Sequence, residues 1–140
     1  DINVYKQQAL RIGIADRVIF RERVSKKNLS FYQKACDALL LPMPANQYAS
    51  MLPLKVFEYM ASGRPIISSR LPSVKGVMNE GNAFLFEPGN SAELAQVISF
   101  VLSNKDESKK RAERAFVDVK NSTWTARAEK IISAVNKIQK

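Results

Sequence analysis

Within residues 52–69, LPLKVFEYMASGRPIISS, the one acidic side chain is Glu58, set among apolar, small and cationic neighbours. A carboxylate can accept hydrogen bonds from two adjacent hydroxyls, such as the 2′ and 3′ positions of a ribose, whereas it would repel a phosphate. Lys55, three residues earlier, supplies a cation. On a helical wheel of about 100° per residue with Leu54 at zero, Val56, Phe57, Met60 and Ala61 gather between about 200° and 340°, while Lys55, Glu58, Tyr59 and Ser62 lie between about 40° and 140°. The first set is the expected core face and the second a polar stripe. A plain surface pair between Lys55 and Glu58 at i, i+3 meets the same pattern and is worth only about 0.2–0.5 kcal/mol.

What surrounds this helix decides between the two. The hydrophobic period gives a helix over VYKQQALRIG that stops at Gly13 and a short strand RVIF. Ser25 then caps a helix KKNLSFYQKA, which leads to the apolar run DALLLP, read as a strand covered on both faces. After Pro42, Pro44 and Asn46 comes the Glu58 helix, with Pro53 at its first position, followed by the strand PIISS. A short helix near PSVKGVM, a strand AFLFE and a turn and cap in EPGNSAEL follow. Leu94, Val97, Ile98, Val101 and Leu102 recur at helical spacing, as do Ala112, Ala115, Phe116 and Val119, and then Trp124, Ala128, Ile131, Ile132 and Val135.

Strands alternating with helices imply βαβ units and a mostly parallel sheet between helix layers. Ligands of such folds bind beyond the carboxyl ends of the strands, which is where a helix following DALLLP begins. Its first amides and positive dipole end would then face an anion, with Lys55 alongside. Phosphate at the tip and ribose one turn deeper describe a bound nucleotide. Neither Gly-x-Gly-x-x-Gly nor a P-loop is present.

Composition narrows the chemistry. The 140 residues contain no histidine, so histidine-based catalysis and ordinary zinc-hydrolase chemistry cannot be carried by this chain alone. The single cysteine, Cys36, precludes an intramolecular disulfide and fits a reducing, cytoplasmic compartment; with no histidine to activate it, it reads as an inert thiol. No apolar run approaches the ~18 residues of a membrane span. The net charge of +9 is concentrated at the two ends, residues 1–36 and 105–140. Solvated helix faces meet that pattern, as does a surface for anionic lipid or nucleic acid; no zinc-finger spacing or basic-aromatic interleaving supports nucleic acid.

PLKVFEYMASGRPIISSRLPS, followed by NEGNAFLFEPGNSAELAQVISFVL and STWTARAEKI, resembles the carboxyl-terminal domain of retaining glycosyltransferases of family 4, also called group 1 glycosyltransferases. Upstream, RIGIADRVIFRERVSKKNLSFYQKACDALLLP resembles the Leu-Gly-Leu, Asp-Arg-Val-x-Phe and Ala-Asp-Ala segments of the same domain. The resemblance covers essentially the whole chain. It implies an α/β fold: a Rossmann-like three-layer domain, the second half of a glycosyltransferase B fold, over residues 1–122. Residues 123–140 would form a C-terminal helix that crosses back toward an N-terminal domain. The strand and glycine-rich turn that open the domain in the family have no match here. The sheet is therefore expected to be incomplete at its N-terminus, and the chain to be part of a longer enzyme, inert in transfer by itself and weak in nucleotide binding.

The resemblance also implies roles. Glu58 corresponds to the second glutamate of the Glu-x7-Glu motif, which holds the donor ribose. Lys55 and the amides near Leu54 would lie beside the diphosphate and donor sugar, and Arg21 to Val24 in a loop near the base. The first glutamate of the motif is replaced by Ser50, so its contact to the donor sugar is missing or supplied elsewhere; a subgroup with PLK-x-FEYMA lacks it too. Glu22 stands where a glycine is usual in Phe-x-Gly-x-Val, Gly76 where a glutamate is common and Ala83 where a glycine is.

The expected activity is transfer of a hexose from a uridine or guanosine diphosphate sugar to a glycan or lipid-linked acceptor held by the other domain, as in polysaccharide, capsule or lipopolysaccharide biosynthesis. No cofactor and no metal are implied: basic side chains and helix-end amides neutralise the diphosphate. No catalytic side chain is assigned. The basic ends suit an anionic inner membrane face. Two alternatives remain: a sugar-nucleotide epimerase or inverting transferase of the same architecture, and a nucleotide-sugar-binding domain without transfer activity. Among other residues, Trp124 reads as packing on its apolar stripe, and Ser68 and Ser69 as either ligand contacts or caps.

Overall fold

The computed structural model describes residues 2–45 and 51–138. It forms two compact units, residues 1–30 and 31–140. In the first, α1 (Ile2–Arg11) ends at Gly13, whose φ of +70° is one that side-chain-bearing residues avoid. The Gly13 amide donates to the Leu10 carbonyl and that of Ile14 to the Ala9 carbonyl, so the last turn of the helix is closed by a Schellman motif. A 3₁₀ turn, Ala15–Arg17, leads into extended backbone at Val18. RVIF is not a strand: among the described residues nothing pairs with it, and extended backbone without a ladder partner is not sheet. The Ser25 carbonyl accepts from the amides of Asn28 and Leu29, opening α2 (Lys26–Ala35) as the sequence predicts.

The second unit holds a parallel sheet of order β1-β2-β3, from β1 (Leu39–Leu41), β2 (Ile66–Ser69) and β3 (Phe84–Phe86). Leu39 pairs with Ile66, and Ile67 with Phe84. Central β2 is buried at all four residues, which is why PIISS carries no polar alternation beyond its small serines. One face of the sheet, through Leu41 and Ile66, packs on Val56 and Met60 of α3 (Lys55–Ala61) and on Ala115 of α5 (Lys105–Val119). The other, through Ile67, Phe84 and Phe86, is covered by Leu94, Val97, Ile98 and Val101 of α4 (Ser91–Ser103). The layers are those of a three-layer α/β domain.

Local chemistry fixes the joints. Gly89 turns at φ +82°, and the Asn90 side chain caps α4 by accepting from the Glu93 amide at 3.1 Å, while the Glu93 carboxylate reaches back to the Glu87 amide at 2.9 Å. Arg111 of α5 donates to the Ala83 carbonyl and lies 4.2 Å over the Phe84 ring, binding helix to strand. Ala83 is fully buried and adopts no positive φ, so a methyl group is accommodated where the family favours glycine. Gly76 has open space around a built Cβ, so nothing packed against it demands glycine.

Further expectations are corrected. DALLLP is covered unevenly among the described residues: Leu39 and Leu41 are buried and Ala38 packs against the cluster under α4, but Leu40 is 43% exposed, because β1 is the edge of the described sheet and α4 packs over β3. The segment near PSVKGVM is a succession of turns, its bonds mostly i to i+3, with Val74 and Met78 pinned in the core. Pro53 precedes the helix by two residues, Leu54 being the N-cap. Trp124 is not core. It is 76% exposed at the start of α6 (Trp124–Ile138), a helix with no buried residue. Ala61, Leu102 and Phe116 are likewise exposed members of stripes expected to be buried.

Ser68 and Ser69 do not cap the segment that follows them. Both are buried, and the Ser69 hydroxyl accepts from the Met43 amide at 2.8 Å, tying the chain leaving β1 to the end of β2. Ser69→Ala strands that buried amide, and an unfolding free energy lower by about 1–3 kcal/mol in chemical denaturation is expected. No helix among the described residues is long and apolar enough to cross a membrane.

Candidate functional site

Glu58 is held by the residues around it. Val56 and Met60 peg α3 into the core, and the carbonyls of Pro53 and Leu54 accept the first helical bonds, from Val56, Phe57 and Glu58. At the far end the Ser62 hydroxyl donates to the Tyr59 carbonyl at 2.6 Å and accepts from the Arg64 amide, and Gly63 turns the chain at φ +70° into β2. With its apolar face fixed, the helix presents Leu54, Lys55 and Glu58 outward, all exposed. The Lys55–Glu58 pair allowed by the spacing is not made: neither side chain forms an ion pair with another described residue.

Glu58 borders a groove of about 260 Å³, lined by Leu54, Phe57 and Glu58 on α3 and by Ser122, Thr123, Trp124 and Arg127 where α6 begins. Thr123 sets that second wall. Its hydroxyl accepts from the Ala126 amide at 3.1 Å and its carbonyl from the Arg127 amide at 3.0 Å, so Trp124 and Arg127 follow one turn apart. The Arg127 guanidinium lies 6.0 Å from the centre of the Trp124 ring. Lys55 is not part of the lining.

A second cavity, about 520 Å³, has a floor of Leu71, Val74, Met78 and Leu85. Part of its ionic rim is paired, Arg70 with Glu80 at 2.6 Å and with Glu87 at 2.9 Å, while Lys75 on the same rim makes no ion pair with a described residue. The Glu58 groove differs in offering charges of both signs, a carboxylate and a guanidinium, neither of which forms an ion pair with a described residue.

The structure brings Leu54 and Glu58 together on one wall. Arg21 and Val24 belong to the other compact unit, in the loop before α2, Arg21 exposed and Val24 half-buried. Ser50 lies outside the described residues. Trp124 and Arg127 border the same groove, a proximity that no spacing in the chain announces because they stand far along it from Glu58; the one local signal is an aromatic residue directly after a Ser-Thr cap.

Next to Glu58, the half-buried Tyr59 phenol is pushed above its ordinary value near 10, first by burial, then by the negative charge of Cys36 when ionised and of Glu58. A raised acid favours the neutral form in the fold. That contribution is fully present below pH about 10 and is lost as pH rises through the folded value. Tyr59→Phe is therefore expected to flatten the alkaline fall in stability, measured by denaturant titration on either side of pH 10. The Cys36 thiol is exposed and donates to the Tyr32 carbonyl at 3.2 Å.

The parallel three-layer α/β unit, with Glu58 on the helix after its first strand, has the Rossmann-like architecture in which ligands sit beyond the carboxyl ends of the strands. Residues 3–104 match the glycosyl transferases group 1 family model, and the chain belongs to that family. It is 22% identical over 130 residues to D-inositol 3-phosphate glycosyltransferase of Corynebacterium efficiens, covering 92% of this chain and 30% of the relative. Among solved structures, sucrose-phosphate synthase of Thermosynechococcus elongatus superposes with TM-score 0.82 at 21% identity, over 96% of this chain and 33% of that one. Anabaena Alr3699/HepE in complex with UDP superposes with TM-score 0.75 at 22% identity, over 97% and 36%, and its complex with UDP-glucose is similar. These likenesses are of fold, that of glycosyltransferases of the B type. The chain spans about a third of the length of these relatives.

Proposed function

We propose that the chain is the donor-binding half of a retaining glycosyltransferase that moves a hexose from a nucleotide-sugar to a glycan or lipid-linked acceptor. The observation that carries the reading is the unpaired Glu58 carboxylate at the groove on the helix after β1, in a family with solved neighbours of like fold that hold UDP and UDP-glucose. Glu58 accepts the ribose hydroxyls. Lys55 and the first amides of α3, near Leu54, meet the diphosphate and stabilise it as a leaving group, an electrostatic contribution of the preorganised kind that needs no cofactor or metal. Arg21 and Val24 are assigned to the base, and Ser50 to the donor sugar, on the family resemblance.

The reading includes a cytoplasmic location, with the basic terminal segments drawing the protein to an anionic membrane face. Because the chain spans about a third of its relatives, transfer by these 140 residues alone is not expected. The Ser50 and Glu22 departures favour one other reading, a nucleotide-sugar-binding domain without transfer; turnover of any activated sugar by a longer form would exclude it. A thermal-shift screen against nucleotide sugars and nucleoside diphosphates, repeated with Glu58→Ala, tests the donor assignment. A ligand whose shift survives that substitution removes Glu58 from the site.

A further inference from the structure

We propose that the cavity of about 520 Å³ beside residues 70–80 is a second binding site, for an amphiphile: an apolar chain lies in the cavity and its anionic head group, a carboxylate or phosphate, meets Lys75 at the rim. The cavity shares no lining residue with the Glu58 groove, so the proposal goes beyond the donor reading and stands apart from it.

Four observations converge. The first is size and lining. The volume falls within the ~300–1,000 Å³ of small-molecule sites, and Leu71, Val74, Met78 and Leu85 give the cavity an apolar floor that suits a hydrocarbon chain. The second is rigidity. Leu71, Val74 and Met78 belong to the buried cluster that also holds Val56 and Met60. The turns above them are pinned by Asn82, whose Oδ1 accepts from the Asn79 amide at 2.8 Å and whose Nδ2 donates to the Val77 carbonyl and the Asp118 carboxylate, each at 3.0 Å. The cavity is therefore built into the fold, and a ligand entering it has little chain to order. The third is charge. Arg70 is engaged by Glu80 and Glu87, and Glu80 lies a further 3.9 Å from Arg111, so these charges offset one another. Lys75 is left as the cation of the rim without an ion pair among the described residues. Asn79 beside it turns its Oδ1 to the Gly81 amide at 2.8 Å, so what it has left to offer is its NH₂ donors. An ammonium and an amide donor at the mouth of an apolar cavity match an anionic head on an apolar body. The fourth is place. Arg70 and Leu71 follow directly on β2, and the Arg70 amide donates to the carbonyl of Phe86, the last residue of β3. This wall of the cavity thus lies at the carboxyl ends of the strands, where ligands of such folds sit.

Of the four methionines, Met78 is the one that lines the cavity, so its methyl resonance reports occupancy directly. The 140-residue chain, labelled with ¹³C at the methionine methyls, would be titrated with octyl phosphate, hexyl phosphate, octanol and inorganic phosphate below any micelle-forming concentration, with calorimetry in parallel. Octyl phosphate is expected to move the Met78 signal saturably and further than those of Met43 and Met51, and inorganic phosphate to leave it in place. Hexyl phosphate, with two fewer methylenes to bury, should bind about tenfold more weakly. Lys75→Ala should weaken octyl phosphate about fivefold, to near the affinity of octanol, and Lys75→Glu should weaken it further. Both variants should melt with the parent, since Lys75 is exposed. Phosphatidic acid carried in phosphatidylcholine vesicles separates two sources of the head group. Displacement of octyl phosphate beyond that caused by pure phosphatidylcholine vesicles supports the site as one for a bilayer lipid, and no such displacement supports it as one for a dispersed amphiphile. Octyl phosphate affinity unchanged by Lys75→Glu, equal affinities for the hexyl and octyl phosphates, or no saturable movement of Met78 would each overturn the proposal. Glu58→Ala should leave octyl phosphate binding as it is, which keeps the result separate from the donor reading.

Discussion

Glu58→Ala is expected to reduce affinity for a nucleotide-sugar by about 1.5–3 kcal/mol, roughly ten- to a hundredfold, and to leave stability within about 0.5 kcal/mol of the parent. The split follows from its surroundings. The carboxylate is exposed and pairs with no described residue, so the fold loses no contact when it is removed. A bound ribose would lose two charge-assisted hydrogen bonds. Calorimetric titration with UDP-glucose measures the first half and thermal melting the second. Glu58→Gln keeps an acceptor oxygen without the charge and should fall between the parent and alanine. Equal affinities for parent and alanine variants would leave the chain a family member whose donor pocket lies elsewhere.

Met60→Ala is expected to do the reverse: a loss of about 2–5 kcal/mol of stability, with affinity reduced only as far as α3 shifts. Met60 is 1% exposed, among the largest fully buried side chains, and packs in one cluster with Val56, Ile66 and Met78. Truncation removes the buried thioether and leaves a void that the two-point anchoring of α3 cannot close, since Val56 is the only other buried residue of that helix. At about 2–6 °C per kcal/mol for a domain of this size, a fall in Tm on the order of 10 °C is expected. A loss below about 1 kcal/mol would mean that the helix is held by something other than this contact. Together the two variants separate what Glu58 does from what holds it in place.

Much of the fold could be read from short stretches. The stripes of α4 and α5 appear as apolar residues three and four apart, and the spacing names the buried Val101, Ala112 and Ala115 but not Ser108, buried on the same stripe with its hydroxyl donating to the Val101 carbonyl. The stop of α1 at Gly13 and the cap of α4 at Asn90 are each set by chemistry within a few residues. Reading failed where a neighbour decides. Leu40 lies in an unbroken apolar run, but its exposure depends on what covers the edge of the sheet. The turns at 72–77 satisfy the burial pattern of a helix, with Val74 and Met78 four apart, while making mostly tighter bonds. Trp124 sits on an amphipathic stripe like those of α4 and α5, yet no other described element buries that helix.

The amino-acid order by itself determined most of the helical and extended segments, though not the pairing of RVIF or the turns at 72–77, together with the parallel α/β class, the family motifs and the singling out of Glu58 as a carboxylate on a polar stripe. Those properties arise from steric and hydrogen-bonding preferences acting over one or two turns, and are therefore written locally. Only the tertiary structure decided that Glu58 goes unpaired, that it shares a groove with Trp124 and Arg127, and that Lys55 stands outside it. Proximity between residues so far apart in the chain is set by how α3 and α5 pack on a common sheet face, a balance of buried area and shape summed over many side chains that no short pattern encodes.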